Sequence, residues 1–243
     1  ETFITRSKRN RKLMTADEQS MRRVTAIRNG TVIDHIPGGM VLQALQIFNV
    51  DGRHSNPISL VMNVPSSFEL ADTTEPYYTT SYALIYAKGR NLDQVTDPSM
   101  LLEVAKTSKE KIKIGLSDVG AAQLWVFKNG LMSYMTPYQG QPGDPKANPA
   151  KKMIDEIVAG NIDATVVMGQ SAGYWAKQYS DQVELVVLPL KDNPEQKLRL
   201  TFSFSMAVRY REKEWKQTID RLIKENKTEI ENILIDYNIP LVK

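Results

Sequence analysis

The sequence predicts an α/β fold in which helices alternate with the strands of a mostly parallel sheet. From residue 111 onward, apolar runs of strand length alternate with helical stretches. Helix boundaries are marked in the sequence, for example by Asn148–Pro149 before one helix and Gly160 after it. The 243-residue chain is 42% hydrophobic, which is enough for one large domain or for two lobes with separate cores.

The start of the chain predicts a different arrangement. Residues 1–20 lack a clean period and are rich in Lys and Arg, so we expect a basic tail. Two short apolar runs within residues 23–35 flank Asn29–Gly30, which is a strong hairpin signal. Residues 41–48 carry a helical stripe, and residues 58–64 have the composition of a buried strand.

The remaining elements follow in order. The predicted strands cover residues 81–87, 111–116, 134–138, 162–168, 183–190 and 198–209. The predicted helices cover residues 98–105, 149–160, 212–226 and 227–237. Another helix runs to residue 127 from an N-cap at Ser117 or Asp118, and one more ends at residue 179 after a turn at residues 169–171. Ligands of such sheets bind beyond the carboxyl ends of the strands, so residues 117–120 and 169–173 are the predicted binding loops.

Composition excludes several classes of function. The formal net charge of +3 gives no strong electrostatic case for nucleic acid. With no cysteine and two histidines, no metal site and no cofactor are predicted. The longest apolar stretch, residues 183–190, is too short to span a membrane. Neither a P-loop nor a dinucleotide fingerprint is present, and we predict a protein that is not an enzyme.

Residues 68–243 resemble a family of periplasmic solute-binding proteins. The matching pieces are Thr-Thr-Glu-Pro-Tyr-Tyr ending at Tyr78, the strand at residues 81–86, the helix-to-strand unit at residues 157–164 and Ala-Gly-Tyr ending at Tyr174. More narrowly, they resemble the XoxJ/MxaJ type that is associated with quinoprotein methanol dehydrogenases. The resemblance implies a type 2-like periplasmic binding protein with two lobes. Lobe 1 would comprise residues 21–110, with an atypical first part, and 198–243, and lobe 2 residues 111–197.

This resemblance implies a non-enzymatic protein of the periplasm that binds or assists a PQQ-dependent methanol dehydrogenase, or a peptide of it. The alternative within the same fold is a solute receptor of an ABC transporter. Amino-acid receptors usually clamp the ligand carboxylate with an arginine, and no arginine follows the Tyr-Tyr pair before Arg90. The candidate ligand- or partner-binding residues are Tyr77, Tyr78, Ser117, Asp118, Gly169, Gln170, Ser171 and Tyr174. Packing of the two tyrosines and simple helix capping remain open as structural alternatives.

The segment at about residues 22–67 resembles a second family, the nucleotide-binding domain of the regulatory chain of aspartate carbamoyltransferase. The string Gly-Thr-Val-Ile-Asp-His-Ile-Pro at residues 30–37 carries this resemblance. It implies that Asp34 and His35 lie at an effector nucleotide site, and the alternative function is a cytoplasmic nucleotide-binding regulatory module. The Gly-Arg-Lys-Asp segment and the cysteine zinc domain of that family do not follow, which counts against a working nucleotide site. Because two resemblances meet in one chain, we expect a chimeric chain, with a genuine fusion and a chance match as the alternatives.

Overall fold

The computed structural model describes residues 60–117, 120–140 and 147–242, together with the backbone of two strands at residues 23–28 and 31–37. The predicted basic tail and the helix predicted at residues 41–48 lie outside these residues. The chain forms two compact units, the first made of Glu1–Thr79 with Phe202–Asp236 and the second of Thr80–Thr201 with Tyr237–Val242. In the division predicted from the sequence, the chain instead passes from one lobe to the other near residues 110 and 197. That division stays a prediction.

The sheet of the first unit is antiparallel. Its strand order is β2-β1-β3-β10, and the short β4 also pairs with β10. The hairpin of β1 and β2 is confirmed on either side of the Asn29–Gly30 signal, which itself lies outside the described residues. The strands are β1 (Arg23–Arg28), β2 (Thr31–Pro37), β3 (Leu60–Pro65), β4 (Asp72–Thr73) and β10 (Thr201–Val208).

Two helices bury regularly spaced apolar residues in the first unit. The last two helices of the chain, α5 (Lys213–Glu225) and α6 (Lys227–Asp236), agree with the prediction to within a residue at most ends. The buried side chains of the two helices are Ile219, Leu222, Ile223, Ile230, Ile233 and Leu234. Their spacing of three and four residues places one apolar stripe on each helix, which explains why these segments are helical.

The sheet of the second unit is mixed. Its order is β9-β5-β8-β6-β7, and β6 runs parallel to both β7 and β8. The predicted parallel arrangement is therefore confirmed for these three strands, whereas β5 is antiparallel to both β8 and β9. The strands are β5 (Tyr78–Ala87), β6 (Ile114–Ser117), β7 (Met135–Tyr138), β8 (Ala164–Met168) and β9 (Leu185–Pro189).

The described part of the second unit also contains four α-helices. A 3₁₀ turn at Pro98–Met100 leads into α1, and the Asp97 carboxylate accepts a hydrogen bond from Ser99 N at its start. The Asn148 side chain caps α3 through Lys151 N at 2.9 Å, as the sequence predicts. The helices are α1 (Leu101–Thr107), α2 (Ala121–Lys128), α3 (Pro149–Ala159) and α4 (Gly169–Gln178).

The core of the second unit lies between its sheet and the helices α3 and α4. Alternate residues of β5 pack there against apolar residues of the two helices, among them Ile85, Ile154, Ile157 and Trp175. This core fixes the positions at which α3 and α4 leave the sheet. Among the described residues, no helix is both long enough and apolar enough to cross a bilayer.

Candidate functional site

The second unit has one edge at which its three parallel strands end. Ser117 at the end of β6 lies in register with Tyr138 at the end of β7, and β8 ends at Met168 beside them. Both α2 and α4 begin at this edge, so their first backbone N–H groups lie there. We call this region, comprising Tyr82, Ser117, Gly120, Tyr138, Gly169, Gln170 and Ser171, the carboxyl edge.

The predicted N-cap of α2 is wrong. Its N-cap is Gly120, without a side-chain hydrogen bond, and Ser117 still belongs to β6. The helix therefore begins two or three residues later than predicted, after Gly120, whose φ of +113° is a conformation that L side chains rarely adopt. Asp118 lies outside the described residues. The carboxyl edge therefore has glycine, rather than a capping hydroxyl, next to the first turn of α2.

Tyr82 is a residue of the carboxyl edge that the sequence did not predict. It pairs with Met168 across β5 and β8, and a Cβ placed on Gly120 would lie 3.5 Å from its Oη. Its hydroxyl is thus carried to the start of α2. Nothing local in the sequence marks this position, because it depends on the antiparallel pairing of β5 with β8.

Helix α4 begins directly from β8, under tight packing. Met168 is its N-cap and makes no side-chain capping bond. A Cβ on Gly169 would lie 2.6 Å from the Ser81 carbonyl oxygen and 2.5 Å from Thr80 Oγ1, so only glycine fits there. The residues predicted as a turn before the helix, 169–171, are thus already its first turn, and the close approach of β5 explains why Gly169 has no side chain.

Residues 169–173 have the Gly-x-Ser-x-Gly pattern of the nucleophile elbow in α/β-hydrolases. Such an elbow exposes its serine hydroxyl on a strained strand-to-helix turn. Ser171 instead lies within α4, is 0% exposed and is not among the described residues with positive φ. The pattern is therefore met in the sequence without the exposed geometry that this chemistry requires.

Gln170 is the most unusual side chain of the carboxyl edge. It is 7% exposed, and both its Oε1 and its Nε2 are buried without a hydrogen-bond partner among the described residues. A buried polar group without a partner costs ~1–3 kcal/mol. An unsatisfied buried group in a native protein calls for an explanation, such as a bound water, an ion or a functional role.

Tyr174 lies one turn further along α4 and is held by aromatic contacts. Its ring stacks on Tyr237 at 5.9 Å between centroids and meets Trp175 edge-on at 5.1 Å. The Lys177 ammonium lies 5.2 Å from the centroid of Tyr237 on the same helix face. These contacts fix the orientation of Tyr174, and its predicted role in binding stays a prediction.

Tyr77 and Tyr78 belong to the first unit and pack within it. Tyr77 is 8% exposed, and the Tyr78 ring stacks on Phe204 at 5.0 Å. Tyr78 Oη donates a 2.6 Å hydrogen bond to Asn63 Oδ1, and Asn63 has a left-handed φ of +63° inside β3. This arrangement favours the structural alternative for both tyrosines, and their binding role stays a prediction.

We predict that Tyr78→Phe destabilises the first unit. The substitution removes the hydroxyl that bonds Asn63 Oδ1 and leaves this acceptor, in a residue only 8% exposed, without that bond. The expected loss is ~1–2 kcal/mol in the free energy of unfolding, measured by urea denaturation. The control is Thr79→Val, which removes a half-buried hydroxyl 2.8 Å from Ser203 Oγ and should cost less, because Ser203 is more exposed than Asn63. An unchanged stability of Tyr78→Phe beside this control would contradict the assigned bond.

Arg90 lies away from the carboxyl edge. Its guanidinium donates to the carbonyl oxygens of Ile157 at 2.5 Å and Val158 at 3.0 Å, in the last turn of α3. There it satisfies helix-end carbonyls and complements the helix dipole. Arg90 is therefore engaged at the end of α3 and is not placed to clamp a ligand carboxylate at the carboxyl edge.

We expect Arg90→Ala to weaken the end of α3. Two hydrogen bonds from a charged donor are lost, but the site is open to solvent, so the expected cost is ~1 kcal/mol. Thermal unfolding measures it. Arg90→Lys should recover only part of the loss, because one ammonium lacks the planar fork that reaches both carbonyls. Full recovery by lysine would show that charge alone stabilises this end.

Asp34 and His35, the positions predicted for a nucleotide, lie in β2. They are opposite Ala26 and Thr25 of β1. Their side chains lie outside the described residues, and the predicted nucleotide contact stays a prediction.

The first part of the chain matches a known protein family. Residues 22–71 match the family of the aspartate carbamoyltransferase regulatory chain, allosteric domain. The regulatory chain of Haloarcula marismortui is 47% identical over 51 residues, which are 21% of this chain and 33% of that protein. The regulatory chain of Thermofilum pendens is 56% identical over 43 residues, or 18% and 27% of the two chains. The chain thus spans about a third or less of the length of these relatives.

Solved structures match the larger part of the chain. The periplasmic binding protein XoxJ from Methylobacterium extorquens AM1 superposes with a TM-score of 0.55 at 25% identity, covering 77% of this chain and 76% of XoxJ. MxaJ from Methlophaga aminisulfidivorans MPT gives a TM-score of 0.59 at 22% identity, with 76% of each chain covered. An ancestral cationic amino acid solute binding protein gives 0.57 at 16% identity, over 82% and 74% of the two chains.

These comparisons confirm both resemblances and the fold class. The likeness at 22% and 16% identity is one of fold alone, and XoxJ adds a similarity in sequence as well. The chain therefore joins a segment similar to the allosteric domain of the carbamoyltransferase regulatory chain to an α/β body with the periplasmic-binding-protein fold, which resembles XoxJ and MxaJ.

Proposed function

We propose that this chain is a non-enzymatic binding protein of the periplasm that recognises a peptide segment of a protein partner. The observation that carries the proposal is the chemistry of the carboxyl edge. Its described side chains are hydroxyls, glycines and the Gln170 amide, none of them charged. A free amino acid or another small ion needs a counter-charge in its site, whereas a peptide group needs only hydrogen bonds.

The Gln170 amide is complementary to a peptide group as both a hydrogen-bond donor and an acceptor. It offers one acceptor and two donor hydrogens, and both of its polar atoms are unpaired among the described residues. A peptide backbone presents a C=O and an N–H that pair with such an amide. The first N–H groups of α2 and α4 at the same edge supply further donors for carbonyl oxygens.

We further propose that the partner is a PQQ-dependent methanol dehydrogenase. The support is the resemblance to the XoxJ/MxaJ family, which is associated with quinoprotein methanol dehydrogenases, and the similarity to XoxJ over 77% of the chain. A transported solute is the competing ligand within the same fold. The lack of charge among the described side chains of the carboxyl edge supports a protein partner over an amino-acid solute.

Isothermal titration of the purified chain with a PQQ-dependent methanol dehydrogenase tests the proposal. We expect saturable binding, and we expect Gln170→Met to weaken it at least tenfold. The matched control is Gln178→Met, which changes an exposed glutamine of the same helix and should bind as the unchanged chain does. Absence of binding to the dehydrogenase, together with tight binding of one small solute in a thermal-shift screen, would overturn the assignment.

A nucleotide-binding regulatory module is the second candidate. The match of residues 22–71 to the allosteric domain of the carbamoyltransferase regulatory chain favours it. Titration with ATP and CTP, with and without Asp34→Asn and His35→Ala, tests it. Loss of binding in both variants would support a nucleotide site at β2, whereas no binding at millimolar nucleotide would reject it.

A further inference from the structure

A pocket separate from the carboxyl edge lies wholly within the second unit. Its volume is about 210 Å³, and it is lined by the 3₁₀ turn before α1, by one side of α2 and by residues 189–198. None of the carboxyl-edge residues lines it. At ~30 Å³ of liquid volume per water it holds about seven waters, which is space for one small molecule rather than for a peptide.

Trp125 forms the buried wall of this pocket. The side chain is 6% exposed, and its indole N–H donates to no group within the described part of the chain. Its nitrogen is also absent from the fully buried unpaired atoms of that part, so it keeps access to the pocket. An indole combines an apolar face with a single donor, which suits a ligand that has both an apolar face and an acceptor.

The polar groups around Trp125 have fixed orientations. Asn129 Nδ2 donates to the Trp125 carbonyl at 2.8 Å, which leaves Asn129 Oδ1 as an acceptor. Asp192 Oδ1 accepts hydrogen bonds from the backbone N–H groups of Leu200 at 2.6 Å and Thr201 at 2.8 Å, which leaves Asp192 Oδ2 as an acceptor for a ligand. Two carboxylate or amide oxygens are therefore held in place by bonds that the chain itself makes.

The pocket lining also includes charged groups of both signs. Asp97 Oδ1 accepts hydrogen bonds from Ser99 N and Oγ, which lower the pKa of Asp97, and Lys191 acts in the same direction. The carboxylate is thus ionised at neutral pH beside an ammonium. The Gln196 side chain adds an amide to the same lining. The described lining thus contains both donors and acceptors, and its charged groups are two carboxylates, of Asp97 and Asp192, and the Lys191 ammonium.

We propose that this pocket binds a small neutral polyhydroxylated molecule of about the size of one sugar ring. Hydroxyl groups both donate and accept, so they pair with the Trp125 and Lys191 donors and with the Asp97, Asp192 and Asn129 acceptors. A carboxylate ligand would satisfy only the donors and would face two aspartates. An ammonium ligand would satisfy only the acceptors and would face Lys191. The apolar face of a ring packs on the indole.

Nitrogen-15 NMR of the full chain reads this site directly, because the chain has three tryptophans and hence three indole N–H signals. Glucose, galactose and myo-inositol are titrated separately, with glycine betaine and acetate as charged probes. We expect one indole signal to shift saturably with at least one polyol, and we expect Trp125→Phe to remove that signal. No saturable shift with any polyol, or a stronger response to a charged probe, overturns the proposal.

A second variant guards against misfolding of the buried Trp125 substitution. Lys191 is exposed, so Lys191→Met should fold normally while it removes one donor. We expect it to weaken polyol binding about tenfold, the effect of one ~1.4 kcal/mol interaction. Gln178→Met on α4, outside the pocket, is the matched control and should leave the affinity unchanged. Unchanged polyol affinity in Lys191→Met would place the ligand elsewhere and overturn the proposal.

Discussion

Gly173→Ala should destabilise the second unit strongly, although alanine is the better helix former. A Cβ on Gly173 would lie 2.0 Å from the Asn238 carbonyl oxygen and 2.6 Å from its carbon, both backbone atoms of the segment Tyr237–Val242. Intrinsic propensity favours alanine by ~1 kcal/mol in a helix interior. Overpacking typically costs ~1–3 kcal/mol and more where backbone must move, so we expect a net loss of ~2 kcal/mol or more.

The segment after residue 236 is held on α4 by more than this contact. Thr80 Oγ1 donates to the Pro240 carbonyl at 2.6 Å, and Tyr237 stacks on Tyr174. Backbone at Asn238 therefore cannot retreat without breaking other contacts, and the overlap at Gly173 is not relieved cheaply. Glycine at this position permits the close approach, just as Gly169 does one turn earlier.

Urea denaturation compares Gly173→Ala with a matched glycine. A Cβ placed on Gly89 would have no atom within 4 Å, but Gly89 has φ +80°, so Gly89→Ala reports backbone strain alone, at ~1 kcal/mol. The substitution at Gly173 should cost clearly more. If it proved neutral or stabilising, the segment Tyr237–Val242 would not pack against α4 in solution.

Local signals in the sequence predicted helices better than they predicted the site. The Asn148 cap and the helix end at Gly160 are confirmed because side-chain capping and a left-handed C-cap depend only on neighbouring residues. The start of α2 was wrong because a strand that pairs at Ser117 with Tyr138 competes with helix capping there. That competition depends on a partner strand 21 positions away, which no local pattern shows.

The carboxyl edge itself could be predicted only in part. The turns after β6 and β8 follow from the alternation of strands and helices, and the parallel pairing of β6 with β8 confirms that they meet at one edge. Tyr82 and the isolation of the Gln170 amide could not be predicted. The first depends on the antiparallel direction of β5, and the second on which donors and acceptors the fold fails to bring near.

Strand β3 explains how two unlike segments form one sheet within the first unit. It lies inside residues 22–71, which match the carbamoyltransferase family, and pairs there with β1. Its other edge pairs with β10, which lies within the part that resembles the binding proteins. The segment similar to the carbamoyltransferase family and the part similar to the binding proteins thus meet at one antiparallel strand. The Leu60, Val61, Met62 and Val64 side chains of this strand are buried.

Gln170→Met is expected to raise stability and to weaken partner binding at the same time. Met keeps the unbranched shape and nearly the same helix propensity, but has no strong hydrogen-bonding atom to leave buried. Since both amide atoms of Gln170 lack partners in the described residues, their removal should add ~1–3 kcal/mol to the free energy of unfolding. Chemical denaturation measures this change, and titration with the dehydrogenase measures the affinity.

The two readouts together separate a binding role from a structural one. If a bound water or the protein itself satisfied the amide in solution, Gln170→Met would lose stability and would leave the affinity unchanged. The opposite result, a more stable chain that binds less, is the trade-off expected where a fold keeps a costly group for a ligand. Gln178→Met, exposed on the same helix, should change neither quantity by more than ~0.5 kcal/mol. A more stable Gln170→Met chain that binds less would thus support hydrogen bonding of Gln170 to a peptide of the partner.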